Sequence, residues 1–189
     1  MENSVSSFIL LIVTVLIGIV AIGLSAVFAS NQYNASLIQS QAQNIANGLY
    51  ISVSNPAIMS NGYAVFITVK DFNYQGSLYF TVFYISNVFR NASSQISPSL
   101  AYILNGKIVY PRNVKIGNSV PPYITATTLY YTNLNLMYQG NPIILWQTPP
   151  LTSPIDISLV LSPPQGYSAV ILFFAQIQNK YIEVGYEWL

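Results

Sequence analysis

The feature that most constrains this chain is a run from Phe8 to Ala29, 22 residues broken by polar side chains only at Thr14 and Ser25. As a helix it would be roughly 33 Å long, enough to cross a bilayer core of about 30 Å. Nine of the 22 residues are Ile or Val. Those side chains disfavour a helix in water, but much less in an apolar setting where backbone groups must pair internally. Glu2 is the sole charged residue before Lys70, so positions 3–69 carry no charge.

The helical pattern continues past Ala29. Tyr33, Leu37 and Ile38, Ala42, Ile45 and Ala46, and Leu49 recur at helical spacing, with Gln39, Gln41, Gln43 and Asn44 between them. Gly48 is the expected stop. A helix from about Asn3 to Leu49 would be roughly 70 Å long, too long to bury in a domain of this size. Its N-terminal half is expected to project.

Three readings of the apolar half compete. A secretory signal peptide would suit the Val27-Phe28-Ala29 pattern, but the run exceeds the usual apolar region and no Lys or Arg precedes it. A membrane anchor should be oriented by flanking basic residues, and the first 69 positions hold none. A packing helix, in which other copies of the same helix replace lipid, needs no basic flank. The segment reads as a membrane-inserted precursor whose basic leader has been removed, with Met1 and Glu2 at the mature N-terminus. Ala21, Ser25 and Ala29 form a narrow small-residue face, and Gly18 and Gly23 add points of close approach. Phe8, Leu11, Val15, Ile17, Gly18, Val20, Ala21, Ile22, Ser25 and Ala29 are the candidate packing residues of a helical core.

From about Ile51 onward the pattern changes to short strands. Expected strands are Tyr63–Val69, Leu78–Ile85, Ala101–Leu104, Lys107–Tyr110, Tyr123–Tyr131, Ile143–Trp146, Ile155–Leu161, Ser168–Gln176 and Tyr181–Trp188. Asn105-Gly106 marks the strongest hairpin, and another is expected near Asn179-Lys180. Pro121-Pro122, Pro149-Pro150 and Pro163-Pro164 mark connections. The expected fold is α+β: residues 1–50 form the hydrophobic helix, and 51–189 an antiparallel Ig-like β-sandwich head.

Composition removes whole classes of chemistry. The 189 residues include no Cys and no His, which excludes thiol nucleophiles, iron–sulfur clusters and a Ser–His–Asp triad. With 6 basic and 5 acidic residues and a net charge of +1, there is no electrostatic footprint for nucleic acid. Glu183 and Glu187 are expected on one strand face about 13 Å apart, beyond glycosidase spacing, and read as solubilising charges. Lys70-Asp71 reads as a turn flank, and Arg112 and Lys115 as a solvated basic loop. No glycine-rich phosphate loop or nucleophile elbow is present. An enzyme is not expected, nor a cofactor or metal. Asn34-Ala35-Ser36 and Asn91-Ala92-Ser93 fit the N-glycosylation pattern, making Asn34 and Asn91 candidate acceptors. The 15 tyrosines fit strand packing, or, at Tyr130, Tyr131, Tyr138, Tyr181 and Tyr186, an adhesive or subunit-facing surface.

A charge-poor apolar N-terminal helix running into an amphipathic half, followed by a β-rich head, resembles the type IV pilins. The Ser/Thr/Asn/Tyr-rich composition is most similar to the archaeal branch, which includes adhesion pilins and archaellins. The most specific segment is MENSVSSFILLIVTVLIGIVAIGLSAVFAS at positions 1–30. The bacterial pattern has a phenylalanine at the mature start and a glutamate a few residues in; here the one early acid is Glu2. The resemblance implies an extracellular helical homopolymer. It also implies a membrane-inserted precursor, a prepilin peptidase, an assembly ATPase and a membrane platform protein. Adhesion is the expected task; an archaellum subunit and a membrane-anchored surface protein with a β-sandwich binding head are the alternatives.

Overall fold

The computed structural model describes residues 2–90 and 96–189. Its first element is a helix, α1, at Glu2–Gly48. Among the described residues twelve strands follow: β1 Leu49–Val53, β2 Ala57–Met59, β3 Gly62–Asp71, β4 Tyr79–Ser86, β5 Ile103–Leu104, β6 Lys107–Ile108, β7 Arg112–Ile116, β8 Tyr123–Tyr130, β9 Leu136–Gln147, β10 Ile155–Leu161, β11 Tyr167–Ile177 and β12 Lys180–Trp188. The chain divides into two compact units, residues 1–38 and 39–189. The second unit therefore contains the last turns of α1 together with every strand.

Gly48 ends the helix for a steric reason. A Cβ there would run into the Asp71 carboxylate and the Asn73 side chain. The Phe72 N–H donates to the Gly48 carbonyl at 3.0 Å, and Asn73 Nδ2 donates to the Asn44 carbonyl at 2.9 Å. Ala42 and Ile45 on these last turns are buried. The helix end is thus tied to the segment after β3 by hydrogen bonds that satisfy carbonyls lacking helical partners.

One sheet runs β1-β3-β10-β7, with β2 beside β3. Strand β10 shows the alternation its sequence carries: Ile155, Ile157, Leu159 and Leu161 are buried, while Asp156 is exposed. The other five strands, β11-β12-β8-β9-β4, close into a barrel. Its interior holds Tyr79, Phe83, Leu129, Ile143, Leu145, Val170, Leu172 and Phe174. Strand β4 is buried on both faces from Tyr79 to Ile85, which requires a layer on each side. The barrel interior is one layer. The other includes the first sheet: the Tyr84 hydroxyl accepts from Ser162 N–H just beyond β10 at 3.0 Å, and Leu49 of β1 lies against Gly185 of β12.

The α+β class holds, but the head departs from an open Ig-like sandwich. Its second sheet curls shut, and β12 meets β8 in parallel at the single pair Ile182↔Tyr130. Three strands go beyond the expected set. Strand β1 follows the helix without a loop, β2 pairs with the start of β3 across Ser60-Asn61, and β7 contains Arg112 and Lys115. Those two basic residues pair with Val160 and Ser158 of β10, so the expected basic loop is a strand. The hairpin turns behave as written: Asn105 and Gly106 take φ of 52° and 74°, and Gln178 and Asn179 take 47° and 64°, placing that turn one residue earlier than expected. The three double prolines all fall between strands.

Candidate functional site

Two places in the molecule break the usual rules of burial. The first is the apolar helix surface in residues 8–29, and the second is a half-buried acid on the inward face of the barrel.

On α1 every described candidate packing residue is exposed except Gly18, which is half-buried. Ile22 is 72% exposed and Phe8 65%. Phe8, Leu11, Val15, Gly18, Ile22, Ser25 and Ala29 follow alternating steps of three and four residues and fall on one stripe. The apolar surface extends all the way round, because Leu10, Ile17 and Leu24 on another stripe are exposed as well. A helix apolar on every side belongs in a membrane or in the core of a larger assembly. The two polar interruptions do not spoil it. Thr14 Oγ1 donates to the Leu10 carbonyl and Ser25 Oγ to the Ala21 carbonyl, both at 2.8 Å. Both hydroxyls are satisfied within the helix and demand nothing from a partner. Gly18 and Gly23 have open space where a side chain would stand, room a neighbouring backbone can use. By length and composition the helix is able to cross a membrane.

Asn34 lies on the exposed helix surface, open to modification. Asn91 and Met1 lie outside the described residues, and Glu2 opens the helix.

The acid inside the barrel is Glu183. Adjacent even and odd residues of β12 should face opposite ways, and Glu183 and Glu187 should share a face. They do not. The β11–β12 register shifts between Phe173 and Phe174, so Phe174 pairs with Glu183 while Phe173 pairs with Gly185, leaving Val184 as an extra residue. This β-bulge inverts the side-chain alternation beyond it. Glu183 lies opposite Phe174, a barrel-interior residue, and directly paired residues share a face. Its neighbours Ile182 and Val184 are buried on the other side. Glu187, opposite Ile171, is exposed. Burial pushes the Glu183 carboxyl up to about 7, because an apolar surrounding penalises the charged form. The reading of both glutamates as solubilising charges fails for Glu183. No residue spacing announces the bulge; a glutamate between Ile182 and Val184 near the C-terminal hairpin was the sole hint.

Asp71 is more deeply buried, 4% exposed. Its Oδ1 accepts from Asn73 N at 2.7 Å and Tyr74 N at 2.9 Å, while Oδ2 has no hydrogen-bond partner. Burial raises its pKa, against the lowering effect of those two N–H groups. It is more than a turn flank: it organises the turn that meets the end of α1. Among the described residues no cluster of three or more acidic groups could hold a metal.

Most tyrosine hydroxyls with a recorded bond serve the head itself. Tyr110 accepts from Ile144 N–H, Tyr138 donates to the Asn141 carbonyl and Tyr131 to the Ile96 carbonyl. Tyr110 and Tyr138 also line an apolar groove of about 570 Å³ beneath the β5–β6 hairpin. Tyr186 stays exposed.

No family model matches the chain, and no curated protein matches it.

Proposed function

We propose that the chain is the structural subunit, a major pilin, of an extracellular type IV-like filament whose core is made of packed N-terminal helices. One observation carries the reading: an uncharged helix surface, apolar on all sides and with its two hydroxyls internally hydrogen-bonded, over residues 8–29. Burying a large apolar side chain contributes roughly 1.5–3 kcal/mol. A helix bearing this many gains tens of kcal/mol on bundling before ordering costs are subtracted. Contacts that repeat head-to-tail without closing generate a helical polymer. The precursor waits in the membrane, and the mature filament stands outside the cell. Adhesion suits a head whose surface is neutral and polar with exposed Tyr50, Tyr123 and Tyr186.

The length of the apolar helix also favours a second reading, a membrane-anchored surface protein with a β-rich binding head. Shearing cells separates the two. A filament subunit comes off as long fibres without detergent, whereas an anchored protein stays with the membrane until detergent releases it. Deletion of the gene distinguishes adhesion from motility, since loss of swimming identifies an archaellum subunit.

A further inference from the structure

The barrel is unevenly sealed. Strands β11 and β12, and β11 and β4, are joined by long antiparallel ladders. Strands β8 and β12 touch through one parallel pair, Ile182↔Tyr130, and the Thr132 hydroxyl donates to the Glu183 carbonyl at 2.8 Å. Glu183 therefore sits on the weakest long-range seam of the β8–β12 side, with its side chain turned inward by the bulge at Val184.

Among the described residues no counter-charge acts on it. On β11 it faces Phe174, with Gln176 next along the strand opposite Tyr181. Tyr79 of β4 stacks edge-on against Tyr181 at 5.2 Å and donates its hydroxyl to Gln176 Oε1. From the end of β8 comes Tyr131, whose own pKa is raised by burial and then by the Glu183 charge. Strand β9 contributes Met137 to the same core as Phe174. The cation at the start of its own strand, Lys180, is engaged over the Tyr130 ring at 5.2 Å. Burial is the sole cause of the Glu183 shift.

We propose that Glu183 is a proton-dependent lock on the β8–β12 seam: its neutral carboxyl lets the barrel stay shut, and its ionisation parts β12 from β8. A neutral carboxyl can remain beside Phe174 and Tyr131. A carboxylate there lacks a partner and, being only partly exposed, gains full hydration by moving outward. The single pair Ile182↔Tyr130 and the Thr132 bond are what such a movement must break, while the β4–β11 ladder is untouched. The head would thus be tightly closed in acid and loosened above neutrality.

Amide hydrogen exchange on the full-length protein in detergent micelles tests this, with intrinsic exchange rates corrected for pH. Between about pH 5 and about pH 8, exchange of residues 130–132 and 180–183 should speed at least about tenfold, since each pH unit between the open-state and folded-state pKa values is worth up to about tenfold. Exchange across β4–β11 should stay constant, and in Glu183→Gln the acceleration should vanish. Wild-type protein with no acceleration, or with acceleration shared equally by β4–β11, overturns the lock. So does an acceleration that persists in Glu183→Gln. Should that variant fold poorly, the contrast between the two ladders in the wild type decides by itself.

Discussion

Replacing Glu183 by Gln should make the head more stable at neutral pH and flatten its pH dependence. The magnitude follows from the site. Its carboxyl titrates near 4.5 in the open chain and at about 7 when folded. A difference of that size is worth about 3 kcal/mol, and the partial exposure of Glu183 reduces it to about 2 kcal/mol. The folded state holds the proton more tightly, so the contribution is present in full below the open-chain value. It is lost as pH rises through the window from 4.5 to about 7. For a unit of this size, about 2 kcal/mol corresponds to roughly 4–8 °C in melting temperature. Thermal melts in detergent, followed by near-ultraviolet dichroism of Trp146 and Trp188, should show the wild-type midpoint falling by that amount across the window. In Glu183→Gln the fall should be largely gone. A wild-type midpoint that rises from acid to neutral, or a variant with an unchanged slope, refutes the placement of Glu183 inside the barrel.

Three further outcomes follow from the same structure. Gly48→Ala should cost about 1–3 kcal/mol, because its Cβ must displace Asp71 and Asn73; a variant with the parent's denaturant midpoint contradicts the packing of the helix end. Asp71→Asn keeps the Oδ1 acceptor for Asn73 and Tyr74 and removes a buried charge near the negative end of α1. It should melt at or above the parent temperature at neutral pH, with the advantage shrinking in acid; a large loss there would show that the charged form is needed. Ile17→Asp or Val20→Asp should abolish filament assembly while leaving head folding intact, since a lone carboxylate would be buried among packed helices; normal fibre yield from either variant counts against bundling.

What could be read from residues alone, and what could not, has physical causes. The helix was legible because its pattern is long and uninterrupted, and Gly48 because only glycine fits against Asp71. Strand β10 was legible because one of its faces is buried and its alternation is strict. Strands β1, β2 and β7 were not. The first follows the helix directly, the second is three residues on an exposed edge, and the third carries basic side chains on its open face. Closure of the barrel depends on a single parallel pair, which leaves no periodic signal. The inward turn of Glu183 depends on a bulge set by the opposing strand, so its own segment cannot announce it. The unbroken apolar run of α1 was legible as a pattern, whereas the internal bonds of Thr14 and Ser25 emerge only from the folded helix.

Whether the exposed apolar helices pack into a filament core can be seen by electron microscopy of material sheared from cells. The expected result is long helical fibres built from this chain alone, with a central density of bundled helices accommodating residues 8–29 and heads outside. Finding the protein only in the membrane fraction, with no fibres in the sheared supernatant, would contradict it.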